Sequence, residues 1–592
     1  MAAPRIIVVG GGLAGLAAVI KIAEAGGAVD LFSIVPVKRS HSVCAQGGIN
    51  AAKDLKGEGD STDKHFDDTV YGGDFLANQT PVKAMCEAAP GIIDLLDRMG
   101  VPFNRTPEGL LDFRRFGGTL YQRTAFAGAT TGQQLLYALD EQVRRHEAEG
   151  KVKKYEGWEF LSAILDSKGL CRGIAALDLR TMELRAFPAD AVILATGGIG
   201  AIFGKSTNSV VCTGSAQSAV FQQGAYYANG ELIQVHPTAI PGEDKLRLMS
   251  ESARGEGGRV WVPRTPGDKR PVKQIPEAER FYFLEEWYPK YGNLVPRDIA
   301  TRAIHKVVYQ EGLGIDGQPM VYLDLSHIDR ATLDRKLGGI LDIYEKFVGD
   351  DPHEVPMKIF PGMHYTMGGL WVDFDQMTNI PGLFAAGECE YQYHGANRLG
   401  ANSLVSCIYG GFVAGPKALE YAKNAPPVEG DGGTAAELAR QAELNAALMK
   451  NQGTENPFRL WRELGVTMTE HATVTRYNAG LKKADEKVVE LLDRFKGVSL
   501  ADRSQWANTS FAFARQLKNM LELSRTVVLG AMLRDESRGA HYKPDFPDRN
   551  DEKFLKTTKA SFTGLPEGPR IEYEEVDTQY IKPRPRRYDA TQ

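Results

Sequence analysis

Ile6-Ile7-Val8-Val9-Gly10-Gly11-Gly12-Leu13-Ala14-Gly15-Leu16-Ala17-Ala18 runs from a short apolar strand through a glycine turn into an alanine-rich helix. Four consecutive apolar residues ending in glycine suit a strand buried on both faces, as in a parallel sheet. Leu16–Ala25 has helical composition and Val29–Ser33 supplies a second strand, so the opening reads as strand, helix, strand. In Gly10-x-Gly12-x-x-Gly15 the glycines permit a tight turn and let backbone approach a pyrophosphate. The amides around Leu13 and Ala14 would face that pyrophosphate at the helix N-terminus. The pattern predicts an α/β, Rossmann-like, dinucleotide-binding fold. Ser33 ends the second strand where many such proteins carry Asp or Glu for the ribose. Its hydroxyl can still bind the ribose, and the missing acid argues against a plain NAD enzyme.

Two later apolar strands end in the same way, Ala191–Ala195 before Thr196-Gly197-Gly198 and Gly382–Ala386 before Gly387-Glu388. Their separation predicts a discontinuous nucleotide domain, residues 1–240 and 355–423, with an inserted α+β capping domain at 241–354. After a Pro/Gly-rich linker, 434–543 shows helical spacing and is expected to form a helical domain, followed by an extended C-terminal region, 544–592. The basic run Lys582-Pro583-Arg584-Pro585-Arg586-Arg587 in that region reads as a solvated or subunit-contacting arm. At 592 residues and 43% hydrophobic the chain can bury a large core, and a net charge of -5 gives no general attraction to nucleic acid. The N-terminus carries no secretory pattern and no apolar run is long enough to span a bilayer, so the expected place is the cytoplasm. Six scattered cysteines without Cys-x-x-Cys fit a reducing compartment and give no metal-ligand set.

About thirty residues after the glycine loop comes Arg39-Ser40-His41-Ser42-Val43-Cys44-Ala45-Gln46-Gly47-Gly48-Ile49-Asn50. A lone histidine in a loop is ordinarily a surface residue, but this block resembles the one that tethers FAD covalently in the flavoprotein subunits of succinate dehydrogenases and fumarate reductases. Further blocks carry the resemblance along the chain: His236-Pro237-Thr238, Ser250–Gly258, Arg297-Asp298, His364–Gly369, Asn397–Leu404 and Glu536–His541. Within that family the chain is similar to the branch paired with a single diheme cytochrome b subunit. The resemblance implies that the nucleotide is FAD, attached through His41. It implies that Arg39, Ser40, Gly47 and Gly48 surround the flavin, that Glu388 binds the ribityl or ribose, and that Ser403-Leu404 contacts the isoalloxazine. Thr213-Gly214-Ser215-Ala216 departs from the family's Gly-Asp-Gly, so no flavin contact is carried onto Ser215.

A dicarboxylate needs cationic and hydrogen-bonding groups at both ends, and arginine suits carboxylates because its planar fork binds two oxygens. The resemblance implies that His236, Ser250, His364 and Arg398 hold the substrate, with Ser250 standing where the family usually has Thr. It also implies proton transfer by Arg297, with Glu251 and Arg254 as the proton path. A guanidinium ordinarily keeps its proton, so such an arginine needs neighbours that exchange one quickly. Glu251 and Arg254 can pair if one helical turn separates them. Arg538 and His541 are weaker candidates that would brace the helical domain against the flavin site. The implied reaction is interconversion of succinate and fumarate, with hydride transfer at the flavin and electrons passing to an iron–sulfur subunit, a membrane cytochrome b and a quinone. The chain itself would be peripheral on the cytoplasmic membrane. A soluble L-aspartate oxidase shares several blocks but binds FAD without a covalent link, and a flavin subunit without substrate chemistry would not need the arginine and histidine set.

Overall fold

The computed structural model describes residues 4–242 and 246–588; the expectation of no leader at residues 1–3 lies outside them. The three strand-to-glycine junctions come together in one parallel sheet. Arg5–Val9 lies between Ala191–Leu194 and Ala28–Ser33, Leu383–Ala385 extends the sheet beyond Ala191–Leu194, and Val152–Glu156 closes the other edge. The mixed α/β architecture and the discontinuous nucleotide fold are therefore as expected. Gly10 sits at φ +118°, and a Cβ there would lie 2.1 Å from the Ala195 carbonyl oxygen. No other residue type lets these two strand ends run so close.

The helix Leu13–Glu24 begins three residues earlier than its composition suggested, because the glycine turn feeds straight into it. It packs along the long helix Asn402–Asn424, where a Cβ on Gly411 would meet the Ala14 carbonyl at 2.3 Å. Gly411 lies nine residues into Asn402–Asn424, so the third turn of that helix passes beside the N-terminus of the first.

Ile233–Ile240 and Met357–Thr366 form an antiparallel pair within a six-stranded sheet that continues through Val321–Asp324 and Arg259–Pro263. Between these outer strands and the helices Arg297–Tyr309 and Arg330–Val348 lies a separate core that includes Val260, Phe283, Ile304, Leu323 and Leu337. The helices Pro457–His471, Asn478–Phe495 and Thr509–Leu533 pack together. Thr434–Lys450 lies instead against the antiparallel strands Trp158–Leu165 and Leu184–Pro188. The C-terminal region folds back as the hairpin Lys556–Ser561/Arg570–Glu575, paired with Tyr227-Ala228. No described helix is long and apolar enough to cross a membrane.

Arg538 and His541 belong to a fully buried ionic network and line neither of the two clefts described below. Arg534 pairs with Glu231 and Glu536, Arg538 with Glu536, and His541 Nδ1 lies 2.7 Å from Arg476 Nη1. The network joins the end of the last long helix to the loop before Ile233–Ile240, so these two residues brace.

Candidate active site

Two adjoining clefts follow from this arrangement, and His41, Ser42, Glu388 and Cys407 line both. The first runs over Gly10, Gly12, Leu13, Ala14, Ser33 and Ser40 at the ends of the parallel strands. Gly12 is the N-cap of Leu13–Glu24 and offers no side chain to the first-turn amides. A Cβ on Gly12 would meet only the Ser42 hydroxyl, at 3.2 Å, and would otherwise fill the cleft. The buried Ser40 hydroxyl has no protein partner. The Leu13 amide donates to Ser42 Oγ at 3.3 Å; the positive end of a helix, a side-chain-free cradle and an orphaned hydroxyl fit the pyrophosphate of a dinucleotide. Gly15 packs against the turn, its Cβ position 1.9 Å from the Gly10 carbonyl, while Arg39 is exposed and lines neither cleft.

The second cleft, of about 340 Å³, gathers Gly47, Gly48, Ser403 and Leu404 with His236, Ser250, Glu251, Arg297, His364 and Arg398. Ser403 and Leu404 sit in the first turn of Asn402–Asn424, and Arg297 opens the helix Arg297–Tyr309. His364 owes its position to a β-bulge: Gln234 pairs with Tyr365 and Val235 with Met363, leaving His364 as the extra residue. Bulges re-aim side chains in this way, and the His364 ring comes 4.9 Å from that of His236.

Hydrogen bonds fix the ring protons. The Thr238 amide donates to His236 Nδ1 at 3.1 Å. Burial, reinforced by Arg297, holds His236 well below the usual histidine range, so it is neutral with its proton on Nε2. That buried Nε2 has no protein partner. His364 is held low by burial and Arg297 as well. Thr207 Oγ1 lies 2.6 Å from His364 Nδ1 and donates to the Met363 carbonyl at 3.4 Å. Two neutral imidazoles thus meet in one cleft, and His236 presents an N–H to it. The Ser250 hydroxyl lies 2.6 Å from that of Ser252, and Arg398 stacks over Tyr365 at 4.3 Å with its Nε unpaired.

Glu251 stands between two guanidiniums. Arg297 donates to its Oε2 through Nε (2.8 Å) and lies 2.7 Å away through Nη2, while Arg254 Nη2 donates to Oε1 at 2.6 Å. Burial alone would raise the Glu251 pKa, but Arg297 and then Arg254 outweigh it and hold the carboxyl below the usual glutamate range. Arg254 lies behind Glu251, one short turn away, and donates through Nη1 to the Asn293 carbonyl. The cleft thus exposes a guanidinium in contact with a buried carboxylate that a second arginine backs.

The sequence reading passed over residues that complete this arrangement. Gln234 accepts from Arg297 Nη1 at 2.9 Å; it lies two residues before His236 in a strand, and that same-face spacing was an available signal. Asn208 Nδ2 donates to the His364 carbonyl at 2.8 Å and lies 3.1 Å from His41 Nε2, and the Ser209 amide donates to His41 Nδ1 at 3.1 Å. Neither Thr207 nor Asn208 lies in a recognisable motif.

Residues 5–404 match the FAD binding domain family and residues 461–588 the fumarate reductase flavoprotein C-terminal family. The chain is 64% identical to the succinate dehydrogenase flavoprotein subunit of Bacillus subtilis, covering 99% of both sequences. It is 34% identical to the fumarate reductase flavoprotein subunit of Escherichia coli, covering 98% of this chain and 95% of that one. A solved structure of Escherichia coli quinol fumarate reductase matches it with a TM-score of 0.91 at 32% identity, covering 99% of this chain and 98% of that chain. These likenesses do not favour the L-aspartate oxidase alternative. The chain belongs to the FAD-binding flavoprotein subunits of succinate dehydrogenase and fumarate reductase.

Proposed function

We propose that succinate and fumarate are interconverted in the second cleft, with Arg297 as the proton-transfer group. The observation that carries this reading is the Arg297–Glu251–Arg254 series at the cleft wall, facing unpaired donors on His236 and Arg398. One carboxylate of the substrate takes the Nε2–H of His236 together with the His364 imidazole and Arg398, and the Ser250 hydroxyl serves the other. When bound, FAD supplies the hydride acceptor or donor at its N5. In the reductive direction Arg297 gives a proton to the substrate carbon, and Glu251 relays a replacement from Arg254. In the oxidative direction the same bonds carry the proton outward. Arg398 and the paired histidines polarise the carboxylate, stabilising the negative charge that develops at the neighbouring carbon.

The same reading assigns Gly10, Gly12, Leu13, Ala14, Gly15, Ser33, Ser40, Gly47, Gly48, Glu388, Ser403 and Leu404 to FAD, and a covalent tether to His41, while Arg39, exposed and outside both clefts, leaves that set. The Ser209 amide on Nδ1 supports attachment through Nε2, because a ring substituted at Nε2 keeps the Nδ1 lone pair that this N–H requires. Electrons then leave to an iron–sulfur subunit and, through it, to a single cytochrome b membrane subunit and a quinone. The chain is peripheral on the cytoplasmic membrane through these partner subunits.

Anaerobic flavin absorbance tests the substrate assignment: succinate bleaches the purified enzyme and fumarate restores it. Bleaching by L-aspartate and not by succinate would overturn the reading. A second expected result concerns pH. Burial and then the neighbouring Arg297 bring Arg398 down to about 9. Above that pH the unliganded cleft loses a cation that binds the dianion, so KM for succinate climbs by up to about tenfold per unit while kcat at saturation changes less. A KM that stays flat over the same range would remove Arg398 from carboxylate binding.

A further inference from the structure

We propose that Arg586, in the C-terminal tail, is a positioning residue for Arg297. Lys582, Arg584 and Arg587 of the basic run are exposed as its composition suggests, but the Arg586 side chain is only 6% exposed and forks onto Asp298, which is 1% exposed. Nη1 reaches Oδ2 at 2.5 Å and Nη2 reaches Oδ1 at 3.0 Å. Asp298 follows Arg297 in the first turn of the same helix.

From that carboxylate a chain of side-chain hydrogen bonds leads to the reacting arginine. Asn397 Nδ2 donates to Asp298 Oδ1 at 3.0 Å, Gln234 Nε2 donates to Asn397 Oδ1 at 2.9 Å, and Arg297 Nη1 donates to Gln234 Oε1 at 2.9 Å. The ends dictate the direction. A carboxylate only accepts and a guanidinium only donates, so both intervening amides have one orientation that satisfies every link. Gln234 Nε2 also donates to the Arg398 carbonyl at 2.8 Å, which ties the second substrate arginine to the same chain. An ionised Asp298 is therefore the anchor, and burying it requires a matched cation. Arg302 reaches it with one contact of 3.3 Å and a more exposed side chain, a poorer match than the fork of Arg586.

The tail is held in place to deliver that fork. Arg584 pairs with Asp67 at 2.6 Å, and Tyr71 donates to the Arg587 carbonyl at 2.9 Å. The Tyr588 ring lies between Tyr71 and Tyr291, with centroids 5.5 and 5.1 Å away. Asp67 and Tyr71 belong to the helix Thr62–Gly72, so the tail ties that helix to the one that opens with Arg297.

This inference rests on the role given to Arg297 above, and the test separates the two. In the intact complex, Arg586→Met is expected to lower kcat roughly tenfold or more, with a smaller change in KM and unchanged flavin content. Arg586→Lys should fall between it and wild type. Adding Asp298→Asn to Arg586→Met should restore most of kcat, because an amide at 298 still accepts from Asn397 and no longer needs a cation. A role confined to packing the tail predicts no such rescue. Wild-type kcat in Arg586→Met, or a double variant no faster than Arg586→Met, would overturn the inference. If Arg297→Ala, measured alongside, keeps its turnover, the reading beneath fails; if it is inactive while Arg586→Met is normal, only the present inference fails.

Discussion

Arg297→Ala is expected to abolish succinate oxidation and fumarate reduction together while the enzyme keeps its full complement of FAD. Two losses add. A positioned acid or base contributes about two to four orders of magnitude, and the cleft also loses a cation facing the charge that develops on the substrate. Turnover should therefore fall by ~10⁴ or more. The flavin should stay, because Arg297 touches Glu251 and Gln234 and lies apart from the glycine turn that cradles the pyrophosphate. Glu251 would keep Arg254 as its partner, so the site loses its proton donor without stranding a buried carboxylate. Arg297→Lys is the informative companion. One ammonium cannot reproduce the Nε and Nη2 contacts to Glu251 and also the Nη1 bond to Gln234, so only part of the rate should return. Flavin absorbance gives cofactor content, and stopped-flow bleaching by succinate gives the chemical step. An alanine variant within tenfold of wild type would dismiss Arg297 as the proton carrier.

What could be read from the chain beforehand follows from how local each constraint is. The three strand-to-glycine junctions were legible because a buried parallel strand leaves an apolar run, and the close approach of strand ends admits only glycine, as at Gly10. His41, His236, Arg297, His364 and Arg398 lay in blocks similar to a known family, and the fold brings them to one cleft wall. Gln234 was readable in principle from strand alternation. Asn397 and Asp298 lie within those blocks, yet nothing local marks that one bonds the other across ninety-nine positions. In the tail, Arg586 is the exception to a run that is otherwise exposed. Lys582–Arg587 reads as solvated charge because its partners, Asp67 and Asp298, lie hundreds of residues away. The bulge that turns out His364 is likewise a property of pairing between two strands, invisible in either alone.

His41→Ser should yield enzyme that still contains FAD but releases it on denaturation, with succinate oxidation suppressed far more than fumarate reduction. Retention follows from the first cleft, whose helix terminus and glycine cradle do not involve the imidazole. The asymmetry follows from redox potential. A link to the flavin's 8-methyl position raises the potential, which oxidation of a saturated acid needs and reduction of fumarate does not. For a two-electron couple about 30 mV corresponds to a factor of ten, so losing ~60 mV shifts the flavin–succinate equilibrium about a hundredfold toward succinate. Serine leaves the Ser209 amide without its imidazole acceptor, a local cost that should not reach Arg297, whose partners are Glu251 and Gln234. Flavin fluorescence of denatured protein on a gel reports the tether, and a redox titration reports the potential. Fluorescence that persists in the variant would move the attachment to another residue. Equal losses in both directions would mean that His41 serves the chemistry and not the potential.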